Sequence, residues 1–292
     1  MVKWSVKDFE EFKKLAHDET IIRFVNKHDV LNKRSNFLFK DEKLNAENAI
    51  LNNETKLGMH DVSYYINQYG FRGDWDLRSP KKKVIFFGCS VTLGWGLNED
   101  NTFYKLISKE LFPDHEIINI SAGGWSIDTI VRFFKYITDI VNDIEYCFFI
   151  LPSSFRTELP VYDGSLAYTN IVNQKENIPE KYLAKYDAWL ELNDDYYEIY
   201  RVLKNITYID HLSRLKGIKS FYSYYDRRIK KYINEVIEEE NVLPMFEQYE
   251  LESRYGYGDH TLKYAFARDG CHPGKYSNEI FAEQVIKKLK NN

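Results

Sequence analysis

The sequence predicts an α/β protein built on a parallel sheet. Three observations carry this. Short, nearly all-apolar runs recur at 83–88 (KVIFFG), 116–120 (EIINI) and 145–151 (EYCFFIL). Amphipathic helical stretches separate them, and small residues follow directly on the first two. Apolar runs of this length suit strands buried on both faces, and strand–helix alternation implies βαβ units with right-handed crossovers.

Taken in order, 83–88 is the first strand of the main domain. Residues 98–111 (NEDNTFYKLISKEL) read as a helix with acidic residues near its start, where the helix dipole favours them. After the strand at 116–120, residues 126–141 form an amphipathic helix capped by Ser126. The strand at 145–151 follows, then a mostly helical stretch at 194–215. A fourth strand is expected at 219–225, a helix at 227–239, a weak fifth strand at 242–247, and a capped closing helix at 277–289. Residues 152–193 fit no regular element and read as an aromatic-rich insertion at a strand's carboxyl end.

Residues 1–80 read as a helical N-terminal extension with a lead-in loop, ahead of a main domain at 81–292. Helical periodicity runs from 6 to 30 through Phe9, Phe12, Leu15, Ile21, Ile22 and Val25. Residues 31–60 are polar with a weak helical pattern around 44–57, and the Gly- and Pro-containing stretch at 66–83 reads as loop.

Composition bounds the function. With 292 residues, 44% hydrophobic and 16% aromatic, the chain has material for a core and is not a disordered one. A net charge of −4 gives no basic excess, so nucleic acid is not the expected partner. No apolar run approaches the roughly 20 residues of a membrane span, and the first twenty residues contain no uninterrupted apolar core of a secretory signal. A cytoplasmic location is expected. Lysine outnumbers arginine and Asn, Ile and Tyr are abundant, a pattern resembling AT-rich bacterial or viral coding. Three scattered cysteines match neither a disulfide framework nor a zinc spacing. Oligomerisation is left open, with nothing in the sequence to support it.

Ligands of open α/β sheets bind outside the carboxyl ends of the strands, so site residues are expected there. The first carries Gly88-Cys89-Ser90-Val91-Thr92-Leu93-Gly94. A serine there either presents its hydroxyl above the sheet or caps a helix. The second carries Asn119 through Gly123-Gly124-Trp125, where a glycine pair lets backbone N–H groups approach an oxyanion or makes a tight turn. Near the C-terminus, Asp269-Gly270-Cys271-His272-Pro273 can orient a carboxylate and an imidazole together, as acyl transfer to a serine requires. The other histidines have no such setting; His260 follows Asp259, but direct neighbours rarely form this pair.

Together and in this order, the segments resemble the SGNH (GDSL-type) hydrolases over about residues 65–290. Gly88 to Gly94 matches the first family block, with Cys89 in place of Asp. Asn119 and Gly124 match the second, and Asp269, His272 and Pro273 match the last. The stretch from Asn67 through Gly70-Phe71-Arg72-Gly73 is similar to the lead-in of some subfamilies. The resemblance implies a three-layer α/β/α sandwich on a flavodoxin-like sheet. It also implies a Ser90–His272–Asp269 triad and an oxyanion hole of the Ser90 and Gly124 N–H groups, with no metal or cofactor. The third family block, Gly-x-Asn-Asp, is not kept: Leu151-Pro152-Ser153-Ser154-Phe155-Arg156 puts Ser154 in the Asn position. Either Ser154 substitutes, or Arg156 reaches in, or the donor is missing.

The expected substrate is a small-molecule or carbohydrate ester, with an O-acetylated sugar favoured because no greasy acyl channel is evident and because Trp95 and Trp125 follow the first two blocks, where an indole either stacks on a sugar ring or packs into the core. Acyl transfer on the same scaffold and a non-catalytic, carbohydrate-binding or structural role are the alternatives. Cys89 and Cys271 read as buried thiols, or as a pair able to oxidise or bind metal beside the site. Tyr162, Tyr168, Tyr182, Tyr186 and Trp189 make the insertion a candidate substrate wall, flap or oligomer contact. The acidic run at 235–240 reads as a solvated helix end.

Overall fold

The computed structural model describes residues 10–12, 33–35, 62–160, 166–170, 180–192, 194–246 and 272–291. Its first elements are a short antiparallel pair, β1 (Lys33–Ser35) and β2 (Tyr64–Ile66). Next come β3 (Lys83–Gly88), the single-turn helix α1 (Ser90–Leu93), α2 (Phe103–Leu111), β4 (Glu116–Ser121) and α3 (Ile127–Ile140). They are followed by β5 (Ile144–Leu151), the hairpin β6 (Arg156–Pro160) and β7 (Leu166–Asn170), α4 (Leu183–Leu192) and α5 (Asp195–Lys216). β8 (Lys219–Tyr224), α6 (Arg227–Lys230) and α7 (Lys275–Asn291) complete the described elements.

The main sheet is parallel throughout, in the order β4-β3-β5-β8. α2 and α7 pack together, as do α3 and α5, giving helices flanking the sheet. The FF and FY doublets explain its core. Adjacent residues of a strand face opposite sides, so each doublet supplies one ring to each layer. Register aligns Phe86 with Phe148 and Phe221, and Phe87 with Phe149 and Tyr222. The first row stacks at 4.6 and 5.1 Å between centroids, the second at 5.1 and 5.3 Å. Phe134 of α3 meets the second row edge-on, and Tyr104 of α2 meets Phe86. Burial of each such ring stabilises by about 1.5–3 kcal/mol.

Local signals set the helix ends. Ser126 Oγ accepts from Thr129 N–H at 3.3 Å, and Asp194 caps α5 by accepting from Tyr197 N–H at 2.8 Å. α5 buries Ile199, Val202, Ile206 and Ile209, a stripe at helical spacing, and ends at Gly217 in the left-handed region.

Several expectations are corrected. The helix at 227–239 is only α6 followed by 3₁₀ turns at Ile233–Glu235 and Glu239–Asn241. Ile229, Ile233 and Ile237 satisfy the helical spacing, yet successive tight turns bury them equally well. The fifth strand is reduced to one parallel bridge, Tyr222 to Val242: Leu243 N–H donates to Tyr222 O, but the next bond, to Tyr224 O, comes from Phe246, one residue past the regular register. The insertion at 152–193 contains the β6–β7 hairpin and α4. β2 ends at Ile66, where the lead-in loop begins, and within that loop Arg72 makes a single antiparallel bridge back to Ile66. Tyr69, Phe71, Trp75 and Leu77 join the main core, and Phe12, in a helical stretch, packs on Phe71 and Phe133. The weak helical pattern at 44–57 lies outside the described residues. Among the described residues, no helix is long and apolar enough to cross a membrane.

Candidate active site

The chain leaves β3 for β4 on one side and β5 for β8 on the other, so the crevice between the carboxyl ends of β3 and β5 is the topological switch point of the sheet. Ser90 follows β3 directly, at the start of α1. His272 comes from the far end of the chain, just ahead of α7. Its Nε2 lies 2.8 Å from Ser90 Oγ. With the ring proton on Nδ1, Nε2 accepts from the serine hydroxyl. Asp269, the expected third member, lies outside the described residues, as do Cys271, His260 and Asp259.

Two polar anchors support this contact, Asn119 of the second block and Asn278, which belongs to no block. Asn278 on α7 is buried; its Nδ2 donates to the carbonyls of Pro273 and Gly274 at 3.1 and 2.9 Å. Its Oδ1 accepts from Phe103 N–H at 3.0 Å, tying the histidine turn to the start of α2. Asn119, at the second block, donates from Nδ2 to Thr92 O at 3.0 Å and so holds the helix that carries Ser90. Asn278 was legible as a polar residue on an otherwise apolar stripe with Phe281, Ala282 and Val285.

The glycine pair has two separate jobs. Gly124 has φ +79°, and a Cβ there would meet nothing within 4 Å, so the space before it is open. Gly123 needs closeness instead: a Cβ would lie 2.9 Å from Cζ3 of Trp95. The Trp95 indole also stacks on the His272 imidazole, 6.0 Å between centroids at 20°. Cys89, in the N-cap position of α1, makes no side-chain capping bond.

The two tryptophans part here. Trp125 is 1% exposed and stacks on Phe133 at 4.5 Å. It is a core residue, so of its two readings the sugar-stacking surface is corrected and the core packing is the one the fold uses. Cys89 and Cys147 are free and buried, and burial pushes the Cys147 thiol well up. Of the insertion aromatics, Tyr186 is buried and Trp189 half-buried on α4. Tyr162 lies outside the described residues.

The third block is also corrected. Ser154 is fully buried, and its hydroxyl donates to Asp226 Oδ2 at 2.6 Å while accepting from Arg228 Nη2 at 2.6 Å. One hydroxyl carries one proton, and this one is committed to a carboxylate. Arg201 donates to the carbonyls of Ser154 and Arg156 and pairs with Asp128, which fixes the loop after β5. Arg156 itself opens β6. Burial raises the Asp226 carboxyl, but hydrogen bonds from Arg228 and Ser154 outweigh it and hold that carboxyl below its ordinary range.

Three solved structures are similar to this chain. One is a lipolytic G-D-S-L family protein from Veillonella parvula, with 12% identity over 72% of this chain and 100% of that one, TM-score 0.46. A second is the psychrotrophic esterase EstA from a Pseudoalteromonas species, with 14% identity over 72% and 100%, TM-score 0.42. The third is a carbohydrate acetylesterase family member from Sinorhizobium meliloti, with 10% identity over 72% and 98%, TM-score 0.43. No protein-family model and no curated protein matches the chain.

Proposed function

We propose that the protein is a serine ester hydrolase. The observation that carries this is the 2.8 Å contact between His272 Nε2 and Ser90 Oγ, made across 182 residues of sequence at the switch point. Neutral His272 takes the Ser90 proton on Nε2 as Oγ bonds to the acyl carbon. The carbonyl π pair moves onto oxygen, facing the N–H groups of Ser90 and Gly124. Collapse breaks the bond to the alkoxy leaving group, which takes the proton from Nε2. Water then repeats the sequence against the acyl-enzyme, giving up its proton to His272, and Ser90 recovers one as the acid leaves. In this reading Asp269 fixes the imidazole tautomer and stabilises the imidazolium.

The substrate proposed is a small acyl ester, an O-acetylated carbohydrate first among them. With Trp125 in the core, Trp95 is the indole at the site that supports a sugar. The test is reaction with a fluorophosphonate, followed by turnover of p-nitrophenyl acetate and acetylated sugars. Wild type should label and turn over; Ser90→Ala should not label and should lose on the order of 10⁶ in turnover. Unlabelled wild type, or activity kept by Ser90→Ala, overturns the reading. Acetate appearing on an added sugar acceptor instead of in water would make the enzyme an acyltransferase.

A further inference from the structure

The loop beyond the Ser90 helix is gripped from outside the sheet. Arg72, in the lead-in, is fully buried, and its guanidinium donates to backbone carbonyls. Nη1 reaches Leu93 O at 2.9 Å and Gly94 O at 2.6 Å, and Nη2 reaches Leu97 O at 2.5 Å. The guanidinium lies 4.4 Å over the Tyr64 ring. The Tyr64 hydroxyl in turn accepts from Gly96 N–H at 2.7 Å. These bonds hold residues 93, 94, 96 and 97 and pass over residue 95.

The residue passed over is Trp95, whose indole backs the His272 ring and rests against Gly123. The backbone N–H of Trp95 donates to Ser90 O at 3.2 Å, so the segment that carries the indole is tied directly to the nucleophile's residue. A planar fork of donors can serve several diverging carbonyls at once; a lysine ammonium is a single point charge on a flexible stem. Burying a guanidinium is costly unless its donors are met; here carbonyls meet Nη1 and Nη2, and Nε stays buried without a partner among the described residues.

We propose that Arg72 is a positioning residue for the base: with Tyr64 it fixes the Trp95 indole, and the indole sets the plane in which His272 Nε2 meets Ser90 Oγ. The proposal rests on the reading of Ser90 and His272 as the catalytic pair.

The experiment is a double-mutant cycle on p-nitrophenyl acetate hydrolysis, with Arg72→Met, Trp95→Leu and the double variant. Arg72→Met should lower kcat about tenfold or more and leave KM within about twofold, as a misplaced reacting group does. Arg72→Lys should not rescue it. In the Trp95→Leu background, Arg72→Met should cost nothing further in kcat, because the group it positions is gone. A purely structural arginine would give losses that multiply, and that result overturns the proposal. Should Arg72→Met fail to fold, Tyr64→Phe removes one hydroxyl and carries the same cycle. A crystal structure of Tyr64→Phe supplies a readout free of turnover: the Nε2–Oγ separation should open beyond hydrogen-bond range, about 3.5 Å. Opening in a protein whose wild type does not label with phosphonate would sink the hydrolase reading and keep the positioning. Labelling with an unchanged separation and multiplying losses would do the reverse.

Discussion

Ser154 and Asp226 meet at 2.6 Å across the carboxyl ends of the adjacent strands β5 and β8. That contact commits the hydroxyl of a position expected to face the oxyanion to a buried carboxylate. Arg228 completes the network by donating to both residues and pairing with Glu198.

Ser154→Ala should therefore act on stability before turnover. Losing a hydroxyl from a buried, charge-assisted network costs about 1–3 kcal/mol. Turnover of p-nitrophenyl acetate should fall by less than about tenfold, well short of the 10²–10³ expected for a true oxyanion donor. Ser154→Asn should not raise it, because the larger amide displaces Arg228. Urea unfolding and kcat on both variants check this. A hundredfold loss in kcat for Ser154→Ala at unchanged stability would restore the hydroxyl to the oxyanion hole.

The two tryptophans should separate in one pair of measurements. Trp125→Ala empties a fully buried site beside Phe71 and Phe133 and should cost about 3–5 kcal/mol in unfolding free energy. Its folded fraction should keep the wild-type kcat. Trp95→Ala should cost less in stability and lower kcat. The opposite pattern would return Trp125 to the substrate surface.

Asn278→Ala should loosen the histidine turn. It removes the bonds to the Pro273 and Gly274 carbonyls and leaves Phe103 N–H unmet. A stability loss of about 1–3 kcal/mol is expected. Displacing the base should also lower kcat by about tenfold or more, with KM little changed. Comparing Tm with kcat decides it: lost stability at full turnover would make Asn278 a helix anchor alone.

What the sequence made legible was what local chemistry specifies. The doublets at Phe86-Phe87 and Phe148-Phe149 announce strands buried on both faces, and Ser126 and Asp194 announce helix starts. Ser90 was singled out because a small residue after such a strand stands at a ligand-binding end. Contacts between distant segments were not legible. Nothing local to Ser154 predicts Asp226, 72 residues on, and nothing local to Trp125 says that Phe133 and Phe71 enclose it. Arg72 had a motif but no role, since its partners lie 21 to 25 residues away. Pro244 lies within the expected fifth strand, where a proline argues against a regular strand.

The last prediction concerns acid stability. Hydrogen bonds from Arg228 and Ser154 more than offset the burial of the Asp226 carboxyl and hold its pKa below the ordinary value. An unfolded aspartate titrates at about 3.9. Between that value and the lower folded one, the unfolded chain binds the proton and the native protein does not. The group thus contributes stability that is complete above the unfolded pKa and is lost as pH falls through the folded one. Asp226→Asn removes this titration. It should lower stability at pH 7, where the charged partner of Arg228 is gone, and flatten the fall in stability below about pH 4. Urea melts of both proteins from pH 7 down to pH 3 measure it directly. Parallel curves, with the same acid slope in wild type and variant, would mean that Asp226 titrates alike in the folded and unfolded chains.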